Sequence, residues 1–390
     1  MKSTDARAWA IVDLDALAHN VRTLKALAGD AVLCAVVKAN GYGHGAIDVA
    51  RTALAHGADW LAVAQVAEAV ELREAGLGAP VLLLSEPCEG ELDELIRYRV
   101  RPTVYHRDTL AMIARRADEP VPVHLKVNTG MNRVGVAPED ALELARQVAS
   151  TPALILEGLW THCAVADEPE NPFTELQLGR LATVVSELEL AGLRPPLVHA
   201  ANSAATIAHP GSRLDLVRCG IALHGIAPSP ALAGVGGLRP VMSVRSRVTM
   251  TKMVEAGEAI SYGLRHRFAR SSLVATVPVG YADGVRRQLS GQGEVLIGGH
   301  RRPIVGVVTM DQIMVDCTDG PPVGRGDEVV LIGFQGHDVI RMEDWAEMVG
   351  TIGYEISCGI GSRVARRPVG GHPSGTSGLA ELGHGLADRI

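Results

Sequence analysis

Lys38 closes the apolar run Ala35-Val36-Val37 and opens the stretch Lys38-Ala39-Asn40-Gly41-Tyr42-Gly43-His44-Gly45. An amine on a stiff strand end, followed by a glycine-rich loop, suits a Schiff base with a carbonyl cofactor. Glycines let backbone approach a ligand closely, and Tyr42 offers a hydroxyl to a phosphate. A lone lysine at a strand end is more often a solvated cap, so the reading needs support elsewhere. His199-Ala200-Ala201-Asn202-Ser203 follows a strand-like run and precedes a helix-like one. Ser203 there either caps the helix or binds an anion at its start. Arg218-Cys219-Gly220-Ile221-Ala222-Leu223-His224-Gly225 joins an arginine to a glycine turn with free backbone amides. Further candidates are Trp160-Thr161-His162, Ser261-Tyr262-Gly263, Thr309-Met310-Asp311-Gln312, Gly353-Tyr354-Glu355 and Arg133 after Lys126-Val127-Asn128. Taken singly, these are packed histidines, strand-end tyrosines and a surface arginine.

The elements that must hold these residues change character along the chain. Short apolar runs occur at residues 32–37, 60–64, 81–84, 121–127, 155–160, 197–200 and 214–217. Between them lie Ala/Leu/Glu/Arg-rich stretches with helical spacing, such as 64–75, 139–148 and 176–191. Repeated βα units predict a parallel sheet with helices outside. A strand count near eight favours a closed (β/α)₈ barrel, in which reactive residues sit at the C-terminal strand ends. Gly41, Gly43 and Gly45 do not form the G-x-G-x-x-G fingerprint of a dinucleotide site. Residues 227–230 and 234–240 are turn-rich and read as a linker. Runs at 242–254, 273–279, 294–297, 304–308, 313–315 and 328–332 then predict a mainly antiparallel β domain. The expected division is a barrel at 11–232 and a β domain at 233–370, with residues 1–10 packed on the latter. Residues 371–390 read as a flexible tail.

Composition narrows the function classes. The chain has 390 residues, long enough for two domains, and 47% hydrophobic residues to build their cores. Its 37 basic and 44 acidic residues give a net charge of −7, which argues against a nucleic-acid or acidic-membrane surface. No signal peptide or uncharged apolar span is evident. Six scattered cysteines without C-x-x-C spacing indicate neither a metal site nor a disulfide framework, and suit a reducing cytoplasm.

The eight residues from Lys38 resemble the pyridoxal 5′-phosphate attachment motif of alanine racemases, departing only at Gly41, where alanine is common. Other matches follow in family order from Lys126 to Arg363. The resemblance implies an α/β chain, a (β/α)₈ barrel followed by a β domain, that racemises alanine. It implies a Schiff base between Lys38 and pyridoxal phosphate, with phosphate held by Tyr42, Ser203, Gly220, Ile221 and Tyr354, the last reaching from a second subunit. Asn202 belongs to the same Asn-Ser-Ala element. Arg218 would face the pyridine nitrogen, oriented by His199. A guanidinium stays protonated, so it does not protonate the ring, and an unprotonated ring is a poorer electron sink.

Lys38 and Tyr262 would be the two bases on opposite faces of the substrate α-carbon. A free tyrosine titrates near pH 10, and the family places His162 and Arg218 near it to lower that value. The resemblance puts Tyr262 in the partner subunit, which implies a head-to-tail homodimer with shared active sites. Arg133, the Met310 amide and the adjoining Asp311 would hold the substrate carboxylate, and Tyr281 would line the entrance. Lys126 stands where some members carry a carbamate. Asn128 and Asn132 replace the family's aspartate and glycine, and Cys219 and His224 its proline and tyrosine. The family role is D-alanine supply for the cell wall. Alternatives are racemisation of serine or another small amino acid, since one hydroxyl is worth only about 1–3 kcal/mol of discrimination. More distant are a pyridoxal-phosphate decarboxylase and a non-catalytic barrel that binds the cofactor. Arg218 and Tyr262 weigh against the former, and the β domain against the latter.

Overall fold

The structure is a computed structural model that describes residues 6–371. The expected flexible tail lies, from residue 372 onward, outside the described residues.

β1 (Ala8–Asp13) stands apart from the barrel. Eight parallel strands follow: β2 (Val32–Val36), β3 (Trp60–Val63), β4 (Val81–Leu83), β5 (Arg101–Val104), β6 (Val121–Lys126), β7 (Leu154–Trp160), β8 (Leu197–His199) and β9 (Leu216–Cys219). From β2 to β8 each pairs with the next in sequence, and β2 also pairs with β9. The barrel closes between β8 and β9. There Asp215 N–H donates to Val198 O at 3.0 Å and Arg218 N–H to Ala201 O at 3.0 Å. Strands buried on both faces read as continuous apolar runs, which is why seven of the eight are legible. β5 is the exception: it begins Arg101-Pro102, so composition hides a strand whose last three residues are buried. Outside the barrel, helices bury one stripe each. Helix Leu14–Ala28 turns Leu17, Val21, Leu24 and Ala28 inward, the 4-3-4 spacing of a single helical face.

The second body contains β10 (Met242–Arg247), β11 (Met250–Val254), β12 (Ala259–Ile260), β13 (His266–Arg267), β14 (Ser272–Val277), β15 (Glu294–Ile297), β16 (His300–Val305), β17 (Ile313–Asp316), β18 (Glu328–Gln335), β19 (Asp338–Ile340) and β20 (Ala365–Val369). Its main sheet runs β11-β14-β17-β16-β15-β18-β10-β1-β20, antiparallel except for the β1–β20 pair. The run at 242–254 is one extended chain that changes partner at Val248-Thr249, from β18 to β14. β16 starts four residues earlier than the apolar run suggests, because His300, Arg301 and Pro303 face outward.

A domain boundary at residue 11 cuts through β1, whose residues all pair within the β sheet. The strand gives way to the first barrel helix at Asp13, whose Oδ1 accepts from Asp15 N–H at 3.0 Å and Ala16 N–H at 2.9 Å. The chain therefore crosses between the two bodies twice, once there and once near Val241. The crossings are tied to each other. Asp13 N–H donates to Val241 O at 2.8 Å. The buried Asn20 donates to Leu223 O at 3.0 Å and Arg239 O at 2.8 Å, and accepts from Arg239 N–H at 2.8 Å.

Candidate active site

Lys38 leaves β2 at the C-terminal mouth of the barrel, and the chain then winds the wrong way. Ala39, Asn40, Gly41 and Tyr42 all have φ between 52° and 61°. Left-handed backbone costs a non-glycine residue roughly 1–2 kcal/mol, so three such residues within a run of four need external restraint. Four contacts supply it. Ala39 N–H donates to Glu68 Oε1 at 2.6 Å, and Asn40 Oδ1 accepts from Ala46 N–H at 3.0 Å. Ser357 Oγ–H donates to Tyr42 O, and Arg366 Nε–H donates to Gly43 O at 2.8 Å. Glu68 also accepts from Ala64 N–H at 2.8 Å, so one carboxylate ties the lysine turn to the end of β3. The last two restraints come from the far end of the sequence.

A cavity of about 580 Å³ opens beside Lys38. It is lined by Lys38, Tyr42, Lys126, Arg133, Trp160, His162, Asn202, Ser203, Arg218, Gly220, Ile221 and Tyr354, among others. Four of these are cations and none of the lining residues is Asp or Glu. Desolvation, then the Arg133 charge, lower the Lys38 ammonium from its ordinary value. Lys126, above the Trp160 ring at 4.1 Å, is brought down to about 7 by burial and then by Arg218, Arg133 and Lys38. Such a cavity favours anions and a neutral, nucleophilic amine.

At one wall Ser203 Oγ accepts from Gly220 N–H at 2.9 Å and from Ala222 N–H at 3.4 Å. A side chain at position 220 would displace the Tyr42 ring, because a Cβ there would lie 2.3 Å from the Tyr42 hydroxyl. The helix cap nearby is Asn202, not Ser203: Asn202 Oδ1 accepts from Ala205 N–H at 2.9 Å, which leaves the serine hydroxyl facing the glycine turn. Tyr354, expected from a second subunit, instead lines the cavity of its own chain, its ring 6.3 Å from that of Tyr42. Burial, with Tyr354 next, pushes the Tyr42 phenol up, and burial does the same to Tyr354. Both phenols are therefore neutral hydrogen-bond donors.

Arg218 is buried at another wall. Its Nη2 donates to Thr161 O and Ala200 O, both at 2.9 Å, and its Nη1 to His199 Nδ1 at 2.7 Å. Its plane lies 4.5 Å from the Trp160 ring. Burial pushes the guanidinium down to about 10, which still leaves it charged at neutral pH. His162 Nδ1 is 3.4 Å from Arg218 Nη2, and burial followed by the Arg218 charge keeps this imidazole neutral.

The loop before Arg133 shows how its two unusual residues fit together. Asn128 Oδ1 accepts from Gly130 N–H at 3.2 Å and Asn132 N–H at 2.9 Å, while its Nδ2 donates to Asn132 Oδ1 at 2.9 Å. Asn132 adopts φ 57°, a conformation asparagine tolerates better than most residues. The two substitutions are thus mutual partners.

Tyr262, Met310 and Asp311 are not in this cavity. Tyr262 caps the β12–β13 hairpin and is 74% exposed, while Met310 is 52% exposed. Asp311 pairs with Arg363 at 2.7 Å. Tyr281 N–H is bonded to Thr309 O at 2.9 Å, on the same face of the β domain. Sequence reasoning missed Glu68, Ser357 and Arg366 as restraints on the lysine turn and Trp160 as a wall. The Gln65-x-x-Glu68 spacing announced a capping carboxylate, but nothing local announced its second partner. Among the described residues no group of His, Cys, Asp and Glu could hold a metal ion.

Comparison with known proteins agrees over nearly the whole chain. Residues 12–228 match the alanine racemase N-terminal domain and residues 241–368 the alanine racemase C-terminal domain. The alanine racemase of Symbiobacterium thermophilum is 47% identical over 361 residues, covering 92% of this chain and 96% of that protein. The crystal structure of alanine racemase from D-cycloserine-producing Streptomyces lavendulae superposes with a TM-score of 0.90 at 39% identity, covering 95% of this chain and 99% of that one. The Bacillus anthracis alanine racemase with bound L-Ala-P gives a TM-score of 0.89 at 37% identity, covering 94% and 96%. The eight-stranded barrel, the β domain behind it and these matches make the chain a member of the alanine racemase family, pyridoxal phosphate-dependent isomerases of alanine.

Proposed function

We propose that this chain interconverts L- and D-alanine on pyridoxal phosphate carried by Lys38. It would do so as a head-to-tail homodimer in the cytoplasm, feeding D-alanine to cell-wall synthesis. The observation that carries the reading is the cavity itself: two arginines and two lysines, no carboxylate, and a Lys38 amine whose charge is disfavoured. A phosphorylated aldehyde and an amino-acid carboxylate are the anions that such a donor set fits. When bound, the cofactor draws electrons from the α-carbon of an attached amino acid and so acidifies its C–H bond.

The chain's own residues do the rest. Ser203 Oγ, the Gly220 and Ile221 amides and the Tyr42 and Tyr354 hydroxyls would hold the phosphate. Asn202 fixes the start of the helix that carries Ser203. Arg218, positioned by His199, would meet the ring nitrogen without giving up a proton. Lys38 would remove or return the α-proton on one face and Tyr262 on the other, so that one proton leaves and one arrives and the configuration inverts. Tyr262 stands exposed outside the cavity of its own chain, which supports its delivery to a second copy. His162 would lie beside it, and Arg133 with the Met310–Asp311 segment of the partner would hold the carboxylate. The six free cysteines, and the lack among the described residues of any helix long and apolar enough to cross a membrane, fit the cytoplasmic placement.

The test pairs two variants. Lys38→Ala should lose both the near-visible cofactor absorption and racemisation. Tyr262→Phe should keep the absorption and lose racemisation by about 10²–10⁴-fold, the range for a positioned acid–base group. Chiral chromatography of alanine incubated in D₂O reads both directions. Full activity of Tyr262→Phe would exclude the two-base assignment.

A further inference from the structure

Beneath the cavity floor, a line of polar side chains runs down through the barrel interior. Arg218 Nη1 meets His199 Nδ1 at 2.7 Å, His199 Nε2 meets His124 Nδ1 at 3.0 Å, and His124 Nε2 meets Glu157 Oε2 at 3.2 Å. Arg101 Nε meets the same Glu157 oxygen at 3.3 Å. Both histidines are fully buried. His124 and Glu157 do not line the cavity and no step described above uses them.

The direction of every proton in this line is fixed from one end. A guanidinium has donors and no acceptor, so His199 Nδ1 must accept. Its proton then sits on Nε2 and is donated to His124 Nδ1. That leaves the His124 proton on Nε2, facing a carboxylate that can only accept. Three bonds are satisfied with both rings neutral. Burial lowers both imidazoles, with the Arg218 charge next for His199.

We propose that Glu157 is a positioning residue for Arg218, acting through His124 and His199 by locking the tautomers of both rings. The inference rests on the reading of Arg218 as the group that faces the cofactor ring. Without an acceptor at Glu157, only the Arg218 end still holds the His124 proton on Nε2, and that N–H is left buried without its partner. The opposite tautomer turns a donor toward His199 Nε2 and, one ring on, a donor toward Arg218. Two donors then face each other where 2.7 Å now separates donor from acceptor.

The local backbone is built around this line. The β6–β7 register jumps from Val123↔Leu156 to His124↔Gly158, so Glu157 is the extra residue of a bulge. Bulges re-aim side chains, and here the carboxylate reaches His124. Gly158 gives the ring its room, because a Cβ there would lie 2.1 Å from His124 Nδ1. Trp160 stacks on His199 at 5.6 Å with planes 4° apart, and Trp60 meets His124 edge-on at 5.5 Å. These rings fix orientation, while Arg218 at one end and Glu157 at the other fix the protons.

The test compares Glu157→Leu with Glu157→Gln in the holoenzyme. Glutamine keeps an acceptor and leucine does not. Leucine should lower kcat roughly 10–100-fold, the range seen when an outer hydrogen-bond partner of a site residue is removed, with KM and the cofactor absorption retained. Glutamine should restore most of the rate. The ¹⁵N ring signals of His124 and His199 should keep their tautomer pattern in the glutamine variant and change it in the leucine variant. His124→Phe, which cuts the line without touching Glu157, should match the leucine variant in rate. Unchanged ring signals in Glu157→Leu, or losses in both variants that only follow the unfolded fraction, would overturn the proposal. A failed cofactor reading shows separately, as absence of the absorption band from the parent protein.

Discussion

The two loops that carry the proposed bases share a backbone oddity and differ in everything around it. Around Lys38, Ala39, Asn40 and Tyr42 are left-handed; around Tyr262, Ser261 and Leu264 are, with φ of 67° and 49°. The lysine turn is held by Glu68, Asn40, Ser357 and Arg366, and its Tyr42 is buried. The tyrosine turn at residues 261–265 has one side-chain tie, Ser261 Oγ–H to Val307 O at 2.8 Å, and leaves Tyr262 and Leu264 in solvent. One base is finished within its own chain. The other is strained into shape and presented outward, where in the proposed dimer a second chain would meet it.

The sharpest way to break this contrast is to separate the two bases. Lys38→Ala and Tyr262→Phe chains should each be inactive. Unfolded, mixed and refolded together, they should recover about a quarter of the parent rate, because random pairing of a two-fold dimer gives half mixed dimers with one complete site each. No recovery would mean that both bases serve one chain. A smaller effect separates the restraints. Glu68→Ala should cost about 1–2 kcal/mol in urea unfolding, because the half-buried Ala64 amide and the exposed Ala39 and Gln65 amides lose their acceptor, and should alter the cofactor absorption. Ser261→Ala should lower kcat, leave that absorption alone and cost less than about 1 kcal/mol.

Acid should also act on the barrel first. Burial holds His44 down at about 4, against 6.5 in the unfolded chain, and His162, His199 and His224 are displaced the same way. Between those two pH values the unfolded state binds protons that the folded state refuses, so stability falls as pH falls. His44 alone contributes on the order of 3 kcal/mol across that window, which the urea midpoint measured from pH 7 to pH 4 would show. A flat midpoint would mean that the rings are accessible. The smallest effect belongs to the carboxylate loop. Asn132→Gly should change stability by less than about 0.5 kcal/mol and Asn132→Ala should cost about 1 kcal/mol, as φ 57° requires.

What the sequence showed and what it hid follow the distance between partners. Lys38 and its glycine loop, the Arg218-Cys219-Gly220 turn and seven of eight barrel strands are contiguous signals, and each landed at the barrel mouth or in its wall. β5 and the start of β16 were hidden because arginine, histidine and proline mask short strands. Ser203 stayed open between cap and anion ligand because composition cannot tell the cap from its neighbour. The restraints on the lysine turn were beyond reach for another reason. Its partners lie 29, 315 and 323 residues away, and a hydrogen bond across such a distance leaves no periodicity. The Glu157 bulge is similar: one residue out of register is visible only once β6 lies beside β7.

The twofold crossing between barrel and β sheet has a mechanical consequence. A body hung from a single thread can swing and twist; one hung from two threads knotted together can do neither. With Asn20 and Asp13 as the knot, the β sheet cannot act as a hinged flap over the cavity of its own barrel. In the proposed dimer, amino acids would then pass through a seam between the two chains, its width set by how they seat against each other.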